Sequence, residues 1–412
     1  MSWLQNELAS LRRRHLLRKL RWADRVGPRI RLRGPDDGTG HNVLLFCSNN
    51  YLGLADHPEL IAAARRATEE FGCSASASRL ISGSLELHRQ LEETLARWMG
   101  TESALVFNSG YQANVGLISA LAKEGDVIFS DRLNHASLID GCRLARAEVR
   151  VFRHADAGHL RTLLAESNTK GAKGKRIILT ESIFSVDGDR APLGEIASLA
   201  REFDALLIVD EAHGIGVLGA KGTGLVGELG IEKQVDIRMG TLGKALGSFG
   251  AFVAAQREVT DYLINRARSF IYSTALPPAT LAASLAAIEV VQKEPERRQA
   301  LWKNVRVLSD GLKKQGWRLV SEGSHIMPVL VGEAGETMAV TEELLACGIF
   351  VQGLRPPTVP EGTCRLRLTP MATHTAGDLT EALAAFGKVL ELRKKQNWTV
   401  HPTSASTSIP PS

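Results

Sequence analysis

Thr241-Leu242-Gly243-Lys244-Ala245-Leu246-Gly247 sets one lysine among small and apolar residues, just after the strand-like run Val235-Asp236-Ile237-Arg238-Met239-Gly240. Earlier in the chain a second strand-like run, Ala205-Leu206-Leu207-Ile208-Val209, ends in Asp210-Glu211-Ala212-His213-Gly214. A carboxylate directly at the end of a buried apolar strand is costly unless it is paired. Lys244 lacks the charged neighbours of a solvated surface lysine, and burial would lower its pKa toward that of a usable base. An acid and an imidazole at one strand end, then an amine in the next glycine-rich turn, are the parts of a Schiff-base site. For Asp210 the alternative is a plain helix N-cap.

Outward from this pair, short apolar runs alternate with helical segments. Ala104-Leu105-Val106-Phe107, Asp126-Val127-Ile128-Phe129, Val149-Arg150-Val151-Phe152 and Arg176-Ile177-Ile178-Leu179 read as strands. Helices are expected at 58–71, 85–99, 111–123 and 136–145. Such alternation predicts an α/β fold whose mainly parallel sheet is covered on both faces. Around Pro277-Pro278 the pattern changes, and a long helix near 279–293 is expected to lead into a smaller α+β domain. The linear division is a segment 1–45, a large domain 46–280, a small domain 281–395 and a disordered tail 396–412. The tail, from Thr399, is rich in Ser, Thr and Pro without periodicity.

Ligands of open α/β sheets sit at the carboxyl ends of the strands, and polar residues recur there. Asn108-Ser109-Gly110-Tyr111 follows a strand and opens a helix, so its N–H groups suit a phosphate. His135, just past the next strand, suits stacking on a planar ring; the bland alternative is a hydrogen-bonded surface imidazole. Ser185 follows a further strand and is either a site residue or a turn residue. His213, three residues beyond Asp210, is placed to reach a phenolic oxygen. Together these features fit pyridoxal phosphate, with Lys244 on the aldehyde and Asp210 keeping the pyridine nitrogen protonated.

Gly214-Ile215-Gly216-Val217-Leu218-Gly219 matches the G-x-G-x-x-G dinucleotide pattern, with Asp236 near the expected acidic position. That pattern belongs in a tight turn from strand into helix. Here Asp-Glu-Ala-His intervenes and the glycines continue through Gly222 and Gly224, so a nicotinamide site is disfavoured. No G-x-S-x-G, G-x-x-x-x-G-K-[ST] or H-E-x-x-H motif is present, which removes the serine hydrolase, P-loop and zincin readings.

The 412 residues are 44% hydrophobic and 23% charged, with formal net charge +5, as expected of an ordinary globular chain. Much of the positive excess is Arg12, Arg13, Arg14, Arg18, Lys19, Arg21 and Arg25, at helical spacing with Leu8, Leu11, Leu16 and Leu20. A solvated or dimer-packed basic helix is the preferred reading, over a nucleic-acid or membrane-surface arm with no catalytic role. A loop, Gly34-Pro35-Asp36-Asp37-Gly38, follows it. Five scattered cysteines with no CxxC pair and no metal-like spacing argue for reduced thiols in the cytoplasm and against a disulfide framework. No apolar run reaches membrane-spanning length.

With these residues in view, the chain resembles the α-oxoamine synthases, fold-type I pyridoxal phosphate enzymes that condense an amino acid with an acyl thioester. The resemblance rests on Ser48-Asn49-Asn50-Tyr51-Leu52-Gly53-Leu54, Ser82-Gly83-Ser84-Leu85-Glu86-Leu87-His88, Asp210-Glu211-Ala212-His213-Gly214 and Thr241-Leu242-Gly243-Lys244. Asp187-Gly188-Asp189-Arg190-Ala191-Pro192-Leu193 and the segment Arg355 to Arg367, with its Pro-Thr-Val-Pro core, point to the member that joins L-alanine to a pimeloyl thioester in biotin synthesis. Aminolevulinate synthases share that core, and aminoketobutyrate ligases are a further alternative, as is a transaminase. One departure is Cys73-Ser74-Ala75-Ser76-Ala77-Ser78, where relatives carry more glycine.

The resemblance implies a seven-stranded, mainly parallel sheet and a cytoplasmic homodimer with active sites at the subunit interface, with neither nucleic acid nor membrane as partner. It implies Lys244 as the Schiff-base lysine and general base, Asp210 as the pyridinium partner and His135 as the stacking residue, which also faces substrate. Ser185 and His213 would contact the ring oxygen. Gly110, Tyr111 and Thr241 would hold the phosphate, with Ser273 or Thr274 of a neighbouring subunit as further candidates. Arg355 would take the alanine carboxylate, with Arg21, Asn50 and Thr358 as further substrate contacts. The acyl carrier is coenzyme A or an acyl carrier protein.

Overall fold

The computed structural model describes residues 2–35, 38–169 and 174–395. The expected disordered tail and the Asp36-Asp37 pair of the N-terminal loop lie outside the described residues. Two compact units interleave along the chain: Leu52–Ser185 with Arg190–Arg298, and Met1–Tyr51 with Val186–Asp189 and Gln299–Ser412.

The first unit is built on a seven-stranded sheet. Across it run Ser103–Phe107, Ala251–Ala255, Ile237–Thr241, Ala205–Asp210, Arg176–Glu181, Val127–Asp131 and Glu148–Phe152. All neighbours pair in parallel except Ala251–Ala255, which is antiparallel to both of its own. The central strands are buried on both faces, so they carry continuous apolar runs rather than alternation. Ala251–Ala255 escapes a reading of pattern because its five apolar residues follow a glycine-rich turn without a break.

Helices cover this sheet. Gly110–Leu121 packs on Ala136–Ala145, and Pro278–Lys293 packs on Pro58–Phe71 and Glu86–Met99. Leu117, Ile118 and Leu138 join Ile128, Ile177 and Ile208 in one core. Pro278 opens the long helix at a position where its missing N–H costs nothing. That helix belongs by its contacts to the sheet unit.

The second unit holds two smaller sheets. Trp22–Ala23, Arg29–Arg33, His41–Leu45 and Ile349–Phe350 form one; Met327–Gly332, Cys364–Leu368 and Gln352–Leu354 form the other. The N-terminal helix is shorter than the leucine spacing suggested, ending at Arg13. His15 takes a left-handed backbone, φ 55°, and the N–H groups of Leu16 and Leu17 turn back to Leu11 O. Arg18, Lys19, Arg21 and Arg25 therefore lie beyond the helix. Arg29–Arg33, not singled out in the sequence, is a strand with Ile30 and Leu32 buried and the arginines outward, a period of two that is the strand signal.

Candidate active site

In the sheet unit every parallel strand end that matters points the same way. The carboxyl ends of Ser103–Phe107, Val127–Asp131, Arg176–Glu181, Ala205–Asp210 and Ile237–Thr241 lead directly into Asn108, Asn134-His135, Ser182–Ser185, Glu211–His213 and Leu242–Lys244. The sheet thus gathers residues that are far apart in sequence.

Lys244 is half-buried, and its Nζ lies 2.7 Å from His213 Nε2. Its turn is held without the lysine side chain: Leu242 N–H donates to Gly250 O at 2.9 Å, Ser248 N–H to Leu242 O at 2.9 Å, and Ser248 Oγ to Thr280 O at 3.1 Å. Gly247, at φ 63°, has no room for a Cβ, which would stand 2.5 Å from Ala55 N. Asp210 is 4% exposed. Its Oδ1 accepts the Ala212 N–H at 2.8 Å and its Oδ2 accepts Asn114 Nδ2 at 2.8 Å. A carboxylate has about four accepting positions, so capacity remains for an N–H donor of a bound ring.

Asn114 extends this contact. Its Nδ2 also donates to Ser137 Oγ at 2.9 Å, and Ser137 Oγ lies 2.8 Å from His135 Nδ1. Ser137 N–H donates to the same Nδ1 at 3.2 Å, which makes Nδ1 an acceptor and leaves the proton of the neutral ring on Nε2. Desolvation holds the His135 pKa below that of an ordinary imidazole; Asp210 opposes this and Lys244 adds to it.

Glu181 is the residue that sequence reading passed over. It is 2% exposed and directly beside Asp210 in the parallel register. Its Oε1 accepts the His135 N–H at 2.6 Å, and it also accepts the Ser185 N–H. Burial pushes its pKa well up and the Asp210 charge adds to this, against Lys244 and the two N–H groups. The unfolded chain would ionise this carboxyl near 4.5, whereas the native state keeps the proton to higher pH. The unfolded state then binds fewer protons, so stability falls as pH rises above that value, by up to about 1.4 kcal/mol per pH unit. Glu181→Gln should remove this slope, giving a Tm that declines less between about pH 5 and 7 than that of the parent protein. Parallel Tm profiles would mean that Glu181 is ionised in the native state.

The phosphate candidates converge as well. Ser109 caps the helix Gly110–Leu121, its Oγ accepting the Gln112 N–H at 3.2 Å, and the N–H groups of Gly110 and Tyr111 stand at the first turn. A Cβ on Gly110 would come within 3.0 Å of Thr241 Cγ2, so glycine permits this close approach. Thr241 is buried and its hydroxyl donates to Ala212 O at 3.2 Å. Tyr111 turns its hydroxyl to Asp140 Oδ2 at 2.6 Å, so what it offers at the helix N-terminus is its backbone N–H. The chain's own Thr274 accepts Asn108 Nδ2 at 2.7 Å, and its Ser273 Oγ accepts Gln112 Nε2 at 3.4 Å. A lysine amine, a buried carboxylate with spare capacity and a capped helix N-terminus beside a threonine fit pyridoxal phosphate.

The remaining candidates lie in the second unit. Arg355 is 8% exposed and donates to His15 O, and among the described residues no carboxylate pairs with it. Burial lowers its pKa and the nearby Arg18 charge adds to this. Arg18 also reaches Thr358 Oγ1 at 3.5 Å, so Arg355 and Thr358 share one loop and one cationic neighbour. Arg21 is engaged elsewhere, pairing with Glu342 at 2.5 Å and lying over Phe350. Asn50 is buried, its N–H donating to Ser48 Oγ at 3.1 Å. Among the described residues no cluster of His, Cys, Asp and Glu could hold a metal ion, and no helix is long and apolar enough to cross a membrane.

Residues 41–386 match the family described as aminotransferase class I and II. The chain is 53% identical over 392 residues to an 8-amino-7-oxononanoate synthase of Geotalea daltonii, covering 94% of this chain and 98% of that one. It is 56% identical to the protein of the same name from Geobacter metallireducens, over 85% of this chain and 90% of that one. Among solved structures, a serine palmitoyltransferase from S. paucimobilis with bound PLP and myriocin superposes with TM-score 0.89 at 31% identity, over 95% of this chain and 98% of that one. The 8-amino-7-oxononanoate synthase of Francisella tularensis superposes with TM-score 0.73 at 29% identity, over 85% of this chain and 99% of that one.

Proposed function

From the chain's membership of the class I and II aminotransferase family, and of the 8-amino-7-oxononanoate synthases within it, we propose a pyridoxal phosphate enzyme that condenses L-alanine with a pimeloyl thioester. The products are 8-amino-7-oxononanoate, CO2 and a free thiol, in biotin synthesis. The observation that carries this reading is Lys244 Nζ at bonding distance from His213 Nε2, in the unit where Asp210 ends the neighbouring strand.

Pyridoxal phosphate, when bound, supplies an aldehyde for amine exchange and a ring that accepts the electron pair left at the substrate Cα. The chain's residues supply the rest. Lys244 Nζ would hold the cofactor at rest and, as a free amine, would take the proton from the alanine Cα. Asp210 keeps a proton on the ring nitrogen, and its anchoring by Asn114 and the Ala212 N–H fixes the direction of that hydrogen bond. His213 and Ser185 would contact the ring oxygen, and His135, oriented through Ser137, would stack on the ring. The helix N-terminus at Gly110-Tyr111 would hold the phosphate, with the Thr241 hydroxyl turning from Ala212 O to donate to it. For the loss of CO2 and the final protonation, Asp210 would keep its role at the ring nitrogen and Lys244 would return the proton.

A homodimer in the cytoplasm is part of the proposal, supported by family membership and by cysteines that are free among the described residues. Coenzyme A or an acyl carrier protein delivers the acyl group. The test is release of CO2 and free thiol by purified protein, with alanine against glycine and serine and pimeloyl against shorter and longer thioesters. Preference for glycine would turn the reading toward an aminolevulinate or aminoketobutyrate synthase.

Arg355 is the proposed partner of the alanine carboxylate. A buried guanidinium without a paired carboxylate is costly until an anion binds, and its planar fork meets a carboxylate at two points. Arg355→Lys keeps the charge and loses the fork. The apparent affinity for alanine, read from the cofactor's visible spectrum, should fall by about tenfold or more, with the spectrum before alanine unchanged. An unaltered alanine titration in Arg355→Lys and Arg355→Ala would remove this residue from the site.

A further inference from the structure

The glycines from Gly214 to Gly224, which resemble a dinucleotide motif in sequence, enclose a carboxylate of the same chain. Glu211 stands between Asp210 and His213 and is wholly buried, yet the chemistry above gives it no part. Its Oε1 accepts the Val226 N–H at 2.7 Å and its Oε2 the Leu225 N–H at 3.0 Å. Its own N–H donates to Met239 O at 2.7 Å, and its carbonyl accepts the N–H groups of Gly214 and Ile215 at 2.8 and 2.9 Å.

The fit around this carboxylate leaves no slack. A Cβ on Gly214 would stand 2.1 Å from Oε2, and one on Gly224 would stand 2.5 Å from the same oxygen. On the other side of the glycine run, a Cβ on Gly216 would come within 2.8 Å of the Cβ of Ala245, the residue after Lys244. The run therefore admits Glu211 at two points and the lysine turn at a third. Burial pushes the Glu211 carboxyl up, against the Ser182 hydroxyl, the two backbone N–H groups and the charge of buried Arg238. An apolar side chain would fill the notch without that cost. Two N–H groups met by two separate oxygens instead fix the turn in both position and direction.

We propose that Glu211 is a positioning residue: it ties the Asp210–Ile215 turn to the Leu225-Val226 backbone and so holds the His213 imidazole at bonding distance from Lys244. This rests on the reading of Lys244 and His213 as the pair that faces the cofactor.

The test uses the holoenzyme with Glu211→Gln and Glu211→Asp. Glutamine keeps the size but turns an NH2 toward one of the backbone N–H groups; aspartate keeps the charge but is one methylene short. Two quantities are read: Tm without cofactor, and the midpoint of the pH titration of the cofactor's visible band. That midpoint senses the charged and titratable groups near the ring, namely Lys244, His213, Asp210 and His135, with Glu181 behind them. Both variants should shift it by about half a pH unit or more. A lowered Tm with the parent midpoint in both would make Glu211 a fold-stabilising residue only and overturn the proposal. So would a shift with glutamine alone, since charge and not reach would then be responsible. If neither variant folds, Gly214→Ala displaces the carboxylate by steric contact, and an unshifted midpoint there overturns the proposal as well. A parent protein with no visible band overturns the cofactor reading first, and this proposal with it.

Discussion

Lys244→Ala should reduce the release of CO2 and thiol from alanine and pimeloyl thioester by at least about four orders of magnitude, because one side chain serves as both cofactor anchor and Cα base. The loss should not be one of folding. The turn that carries Lys244 is held by the Leu242–Gly250 and Ser248–Leu242 backbone bonds and by the close approach of Gly247 to Leu54 and Ala55, none of which uses the lysine side chain. Tm without cofactor should therefore stay near that of the parent. The variant should still retain some cofactor through the Gly110, Tyr111 and Thr241 contacts, without the covalent link. In the parent, borohydride should fix the cofactor to the peptide containing Lys244. A labelled peptide elsewhere would sink the assignment.

Lys244, Asp210 and His213 stood out as candidates in the sequence because an acid and an imidazole follow one apolar strand and a lone amine sits in the glycine-rich turn after the next. Glu181 and Asn114 did not. Each looks ordinary locally, a carboxylate at a strand end and an amide in a helix, and each matters only through what lies beside it. Glu181 meets Asp210 through the parallel register of two strands, and Asn114 meets it across the packing of helix on sheet. Neither relation has a local signature. The same holds for the two segments that placed the chain within its family. Asp187 and Arg365 form a partly buried ion pair within one unit, which no reading along the chain could join. The mainly parallel sheet followed from continuous apolar runs, but its seven strands came only from the resemblance, because Ala251–Ala255 has no pattern of its own. Arg29–Arg33 was not singled out, since only two apolar residues mark its alternation. The glycine run after His213 shows the converse: a motif with a known use elsewhere serves here to admit Glu211.

Asp210→Asn should slow turnover by at least two orders of magnitude, about 3 kcal/mol or more of barrier, while the protein stays folded and binds cofactor. The substitution is nearly isosteric. The amide oxygen can still accept the Ala212 N–H, and Asn114 can turn its own amide so that an oxygen meets the new NH2. What disappears is the negative charge. A neutral amide cannot hold the proton on the ring nitrogen through a charge-assisted bond, so the ring becomes a poorer acceptor for the electron pair at the substrate Cα. The effect should fall on kcat more than on the apparent affinity for alanine, because the interaction strengthens as charge develops. Glu181 supplies the sharpest check. With the Asp210 charge gone, its carboxyl loses the neighbour that helps keep it protonated and becomes the nearest candidate to take over. Turnover within a few-fold of the parent in Asp210→Asn, lost again on adding Glu181→Gln, would transfer the role to Glu181. Unchanged turnover in both would mean that neither carboxyl governs the ring.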